Sequence, residues 1–298
     1  MTSHDTIDAL AQRFDALLQR LEPLLPPAQQ TDWSAPAFRW RRRRYLGVEL
    51  GHLEPVHRIA RIDPDDLQHV DAQKTQILRN TEQFVRGLPA NNVLLTGARG
   101  TGKSSLIRAC LVRFFDRGLR LIEVDKRDLV DLPDIVAQVA DRSERFIVFC
   151  DDLSFEEGEG SYKALKAQLD GSVAASSDNV LIYATSNRRH LMPEYMRENL
   201  ETKYEADGEI HPTETVEEKI SLSERFGLWL SFYPFRQDDY LDIVAHWLAR
   251  LGADGALIES ARAEALQFAL QRGSRSGRVA LQFARDYAGR HGLGQRRG

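Results

Sequence analysis

Residues Gly97-Ala98-Arg99-Gly100-Thr101-Gly102-Lys103-Ser104 constrain this chain more than any other stretch. They follow the apolar run 92–96 (NVLLT) and open a segment with helical spacing at 103–116. Glycines at these spacings let a loop wrap closely, so that its backbone N–H groups and the N-terminus of the following helix face an anion. Lys103 then reaches the β and γ oxygens of a nucleoside triphosphate, and the Ser104 hydroxyl is suited to Mg2+. Gly97 to Ser104, with Ser105 in the first helical turn, form the phosphate-binding set.

Such a loop needs a second carboxylate on the metal side. The run 146–150 (FIVFC) delivers Asp151 and Asp152 at its end. Asp151 would hold Mg2+, directly or through water, and Asp152 would orient and deprotonate the attacking water. Asp152 is one methylene shorter than the glutamate usual at such a position, and Glu156 and Glu157 follow within a few residues. Runs 121–125 (LIEVD), 180–185 (VLIYAT) and 228–232 complete a set of apolar segments without alternation, as suits strands covered on both faces. With helical stretches at 103–116, 131–142 and 161–170 between them, they predict an α/β domain built on a parallel five-stranded sheet.

Three further regions flank or interrupt that domain. Apolar residues at helical spacing predict a helix over 5–25, and Arg39, Arg41, Arg42, Arg43 and Arg44 surround Trp40. Residues 1–60 are therefore expected to form a helical, arginine-rich arm. The arginines suit phosphates or an acidic surface, and nucleic acid is a possible partner through Arg39–Arg44; a clamp on the chain's own acidic regions is the competing reading. Residues 194–218 hold nine acidic residues against Arg197 and Lys203, which predicts an exposed insertion within a nucleotide domain at 61–233. Helical patterns at 237–251, 256–271 and 277–289 predict a helical unit over 234–298. The 298 residues carry a net charge of −4, no apolar run long enough to span a bilayer and no leader pattern, so the expected location is the cytoplasm. Cys110 and Cys150 stand alone in apolar stretches and read as buried thiols.

Taken in order, these motifs resemble those of the AAA+ ATPases over most of residues 60–290. Asp65 to Gln73 (DDLQHVDAQ) resembles the box that lines the adenine pocket, with Val70 within it and His69 where glycine is frequent. Ala184-Thr185-Ser186-Asn187-Arg188 is similar to sensor 1, which implies that Asn187 contacts the γ-phosphate or the attacking water. Leu222-Ser223-Glu224-Arg225-Phe226 is similar to the motif that carries the arginine finger, which implies a role for Arg225 in a neighbouring subunit's site. Gly273 to Ala280 (GSRSGRVA) resembles sensor 2, with Arg278 the matching arginine. More narrowly, FCDDLSFE, YATSNRRHL, ERFGLWLSF and GSRSGRVALQFA resemble a bacterial family of AAA+ ATP-binding proteins whose task is unknown. The resemblance implies an αβα P-loop NTPase fold with a helical lid and a homo-oligomer, in ring or open form. It also implies Mg2+-dependent hydrolysis of ATP coupled to remodelling or loading of a macromolecular partner. The alternative is a slowly hydrolysing switch in which nucleotide occupancy gates binding of nucleic acid or protein.

Overall fold

The computed structural model describes residues 13–17, 31–60, 62–154, 160–170, 177–187 and 222–293. Its strands are β1 (Ala37–Tyr45), β2 (Val48–Val56), β3 (Val93–Gly97), β4 (Leu119–Glu123), β5 (Arg145–Cys150), β6 (Val180–Ser186) and β7 (Leu228–Phe232). They form one seven-stranded sheet in the order β2-β1-β4-β5-β6-β3-β7. Neighbours are parallel except for β1 and β2, which pair antiparallel. Described helices cover both faces of the sheet, which is why β3, β5 and β6 are buried almost throughout.

The sheet has seven strands where the apolar runs predict five. The added pair comes from residues 37–56, the segment read as part of an arm. Phe38, Trp40 and Leu53 are buried against the sheet's second face, and the arginines beside them are neutralised by carboxylates that converge in the fold. Arg39 meets Glu123 at 3.1 Å, Arg41 meets Glu54 at 3.2 Å, and Arg42 meets Asp131 at 2.7 Å. The Trp40 indole donates to the same Asp131 at 2.8 Å. Phe38-Arg39-Trp40-Arg41 alternates for only four residues before Arg42 and Arg44 put cations on the Trp40 face too, so the pattern is too short to read as a strand until its partners are in place.

Helices α1 (Asp71–Val85) and α2 (Lys103–Phe114) lie on one face of the sheet, and α3 (Leu132–Val139) and α4 (Gly160–Asp170) on the other. Adjacent strand residues feed the two cores in turn: Val93 and Leu95 join the first, Leu94 the second. The first core continues into a helical unit of α5 (Gln237–Arg250), α6 (Gly255–Gln271) and α7 (Gly277–Arg290). Local chemistry sets its helix starts: Asp254 accepts from the Leu257 N–H at 2.8 Å and Ser276 from that of Val279 at 3.3 Å. Both cysteines are buried and free, and burial pushes the Cys110 thiol up to about 12. No helix of the described residues is long and apolar enough to cross a membrane. Of the helix expected over 5–25 only 13–17 is described, as helix with Phe14 and Leu17 exposed. Glu156, Glu157, Arg188 and the stretch 194–218 lie outside the described residues.

Candidate functional site

Strand β3 ends at Gly97, and the chain turns back over residues 98–102 before α2 begins at Lys103. Gly97 adopts φ +123°, and a Cβ there would lie 1.9 Å from the Phe232 carbonyl oxygen, so only glycine permits this turn beside β7. Lys103 is buried at 5% exposure and curls under the loop, donating to the carbonyls of Gly97 at 2.8 Å and Ala98 at 2.7 Å. Burial pulls its pKa below the usual lysine value; the nearby Asp151 and Asp152 charges oppose that shift.

The ends of β5 and β6 meet the loop from the side. Ser104 Oγ donates to Asp151 Oδ1 at 2.5 Å, and Thr185 Oγ1 donates to the same oxygen at 2.6 Å. Thr185 Oγ1 also accepts from the Asp152 N–H at 2.9 Å. That bond helps hold Asp152 in the left-handed conformation, φ +54°, which a non-glycine residue rarely adopts. Asn187 links the two halves of the cluster: its Oδ1 accepts from Lys103 Nζ at 3.1 Å and its Nδ2 donates to Asp152 Oδ1 at 2.5 Å. The exposed Arg99 guanidinium stands 3.8 Å from the other Asp152 oxygen. Parallel strands deliver these groups because the carboxyl ends of β3, β5 and β6 lie side by side.

These side chains line a cavity of about 680 Å3 whose other walls are residues 66–68, Phe235, Ile243, Trp247, Arg278 and Leu281. It is thus cationic and polar at the loop end and apolar toward α5, a division that suits a nucleotide. The lid reaches the loop directly at Gly277, which abuts the Gly100 carbonyl, and the Arg278 N–H points to that oxygen at 3.4 Å. Among the described residues no group of three His, Cys, Asp or Glu is arranged to hold a metal. The Ser104 hydroxyl and the Asp151 carboxylate could hold Mg2+ only together with phosphates and water, which supply most of that ion's ligands in nucleotide sites.

Most of the expected site residues therefore converge. Val70 does not line the cavity; it is buried in the first core at the start of α1, and Leu67 and Gln68 face the cavity in its place. Arg225 also lies off the cavity, between the buried anchors Leu222 and Phe226, and pairs with Asp170 at the end of α4. Of the arginine run, Arg39, Arg41 and Arg42 are committed to carboxylates of this chain.

Three participants were not singled out from the sequence. Thr185 stands inside the sensor-like motif, and Arg108 follows Ser104 by one helical turn and so shares its face. Asp66 lines the cavity while bonding to the lid: His246 Nε2 is 3.0 Å away and Arg250 donates at 3.2 Å. His69 makes the reverse clasp, with ring nitrogens 3.5 Å from Asp239 and 3.3 Å from Asp242 of α5. Its φ of +59° would suit glycine, at a cost of about 1 kcal/mol for histidine. His69→Gly should leave the melting temperature nearly unchanged, because relief of strain offsets two half-exposed contacts. It should speed hydrogen exchange in the first turn of α5 and weaken ATP binding by about threefold. Exchange mass spectrometry and a nucleotide titration check both.

Comparison with known proteins bears on the fold. The Orc1 protein of Aeropyrum pernix, solved in complex with DNA, superposes with TM-score 0.51 at 19% identity, over 76% of this chain and 61% of that one. A point mutant of RuvB from Thermotoga maritima superposes at 0.48 and 14% identity, over 78% and 68%. A chain of the HORMA:CdnC:Trip13 complex of E. coli MS115-1 gives 0.47 and 14%, over 74% and 89%. No curated protein matches the chain in sequence. The fold is that of an AAA+ P-loop NTPase with a helical C-terminal part, seven strands in the sheet. A family model matches residues 33–291, and the chain belongs to that family, described as "Protein of unknown function (DUF815)".

Proposed function

We propose that this protein binds ATP with Mg2+ and hydrolyses it, in an assembly whose subunits share each site, to remodel or load a macromolecular partner. The observation that carries this reading is the double junction at the cavity's polar end, Ser104–Asp151–Thr185 beside Lys103–Asn187–Asp152. Five of its six groups have a task in phosphoryl transfer, and Thr185 holds Asp151 and Asp152 in place for them. Loop N–H groups and Lys103 would bind the phosphates, and Leu67 and Trp247 would flank the base. Ser104 and Asp151 would hold Mg2+, which when bound neutralises phosphate charge. Asp152 would accept the proton of the attacking water, while Asn187, already bonded to Asp152, would orient that water. Arg278 from the lid and Arg225 from a neighbouring subunit would face the charge that spreads over the transferring group.

Asp152→Asn tests the assignment. The amide keeps the shape but cannot take the proton, so ATP affinity should persist while turnover falls by about 10²–10³. A steady-state ATPase assay beside a binding titration reads both quantities. Turnover equal to the wild type would move the base to Glu156 or Glu157.

One observation favours the second reading, a nucleotide-gated switch with slow hydrolysis. Asp152 is shorter than glutamate, and its carboxylate is already held by Asn187 and approached by Arg99. Turnover measured with and without nucleic acid or protein partners separates the two, since a switch stays slow in every mixture.

A further inference from the structure

Arg99 is the second cation of the phosphate loop, and the reading above gives its side chain no task. Its backbone is tied on both sides. The Ala98 N–H donates to the Phe232 carbonyl at 3.1 Å, and the Ala98 carbonyl accepts from Thr101 Oγ1 at 2.8 Å and from Lys103 Nζ at 2.7 Å. Next in the chain, Gly100 at φ +73° lies under the lid: a Cβ there would stand 2.8 Å from Ser276 Oγ, and its carbonyl abuts Gly277. The Arg99 side chain, in contrast, is 78% exposed and donates no hydrogen bond among the described residues. Its one ion pair among them is the approach to Asp152 at 3.8 Å, longer than a hydrogen bond. A fixed backbone thus carries, on the cavity wall, a guanidinium held by a single long charge contact.

The groups around it mark where a terminal phosphate would lie. Asp152 bonds to Asn187 at 2.5 Å, and Asn187 to Lys103 Nζ at 3.1 Å. Arg99 stands at one end of that chain and Lys103 at the other. Burial is the main cause of the lowered Lys103 pKa, and the Arg99 and Arg278 charges add to it, so three cations face one space. Other cations of the wall are more committed: Lys103 has three acceptors, and Arg108 pairs with Glu123 at 3.9 Å.

We infer that Arg99 is a catalytic residue acting in cis, which leaves Asp152 for the γ-phosphate of ATP bound in its own chain; this rests on the ATPase reading proposed above. A terminal phosphate carries more charge than Asp152 and offers several oxygens to the guanidinium's fork, whereas an exposed pair at 3.8 Å holds Arg99 weakly. In the step it serves, the water oxygen bonds to the γ-phosphorus as the bond from that phosphorus to the β–γ bridging oxygen breaks. The electron pair stays on ADP, and the water's proton goes to Asp152. A guanidinium beside the transferring group offsets the charge that spreads over its oxygens, and a loop already fixed by its own bonds and by the lid needs little rearrangement to present it. The competing account makes Arg99 a lock that keeps Asp152 from the water, and the two accounts differ in sign.

The test compares Arg99→Ala and Arg99→Lys with the wild type as full chains. Arg99→Ala should bind ADP within about twofold and ATP within about fivefold of the wild type, yet slow single-turnover hydrolysis by about 10²–10³. Arg99→Lys, which keeps the charge without the fork, should fall between. Affinity for ADP with aluminium fluoride and Mg2+, a mimic of the transferring group, should drop at least about tenfold in Arg99→Ala. Arg99→Ala mixed with Asp152→Asn should stay inactive once subunits have exchanged, because both residues serve one chain's site. Recovered activity would place Arg99 in a neighbour's site and overturn the proposal. Unchanged or faster hydrolysis in Arg99→Ala, with aluminium fluoride affinity intact, would also overturn it while ATP hydrolysis by this chain stands, and faster hydrolysis would identify the lock. A wild type that hydrolyses no ATP, and that binds ADP no better with aluminium fluoride than without, would overturn the ATPase reading and this inference together.

Discussion

Chains carrying Arg225→Ala and chains carrying Asp152→Asn, each nearly inactive alone, are expected to recover ATPase activity when mixed. The expectation follows from where the two residues lie. Asp152 faces the cavity of its own chain, whereas Arg225 points away from it and pairs with Asp170 at the end of α4. A guanidinium so placed can act on a γ-phosphate only in a neighbouring subunit, after leaving Asp170. An arginine supplied in trans is worth roughly 10³–10⁵ in rate in other NTPases, so Arg225→Ala should keep ATP affinity and lose most turnover. The competing account is that Arg225 only fastens α4 through Asp170. That pair is half-exposed on the Asp170 side and contributes about 0–1 kcal/mol, too little to explain so large a loss of rate. In a mixed assembly some interfaces join an intact Asp152 to an intact Arg225. Activity above the sum of the separate preparations supports the shared site. If native mass spectrometry shows that subunits have exchanged and the mixture is still inactive, Arg225 has no role in trans.

Lys103→Ala is expected to weaken ATP binding by about two to three orders of magnitude, the loss of charge-assisted bonds to phosphate in a semi-enclosed site. Lys103 is the loop's one buried cation among the described residues, and it is held in place by the Gly97 and Ala98 carbonyls and by Asn187. Removing it takes one donor from each of those acceptors, leaving the Ala98 carbonyl only Thr101 Oγ1 among the side chains, so the loop itself should loosen. Thermal unfolding without nucleotide separates this effect from lost affinity: a shift of a few degrees reports the loop, and a titration with a fluorescent ATP analogue reports the phosphates. Affinity within about twofold of the wild type would remove the loop from the nucleotide site.

How much of this was legible beforehand differs from residue to residue. Lys103, Ser104 and Asp151 were singled out from the sequence because each sits at the end of a buried apolar run or at the turn after one, and Asn187 through a resemblance; the fold brings the four together. In a parallel sheet the carboxyl ends of successive strands must lie together. The one-residue alternation between the two cores was equally implicit, since runs such as FIVFC have no polar face to give to solvent. The apolar wall of the cavity was less legible. Val70 and Leu67 are both apolar residues of one short segment, and only the path of the chain, with His69 at positive φ, decides that Leu67 faces the cavity and Val70 the core.

The glycine-rich loop, the central parallel strands and the helical unit that follows them are legible in the order of residues, because each rests on local propensity and spacing. The fate of the arginine run depends instead on contacts between distant segments. Five cations in six residues read as something for water or a partner. In the fold Arg39, Arg41 and Arg42 find Glu123, Glu54 and Asp131, brought there by β4, β2 and the turn that precedes α3. The same holds for Arg225 and Asp170, which are far apart in the chain. Charge pairs formed between distant segments leave no periodic trace, since their energy depends on where the backbone brings two side chains together and not on the order in which they occur.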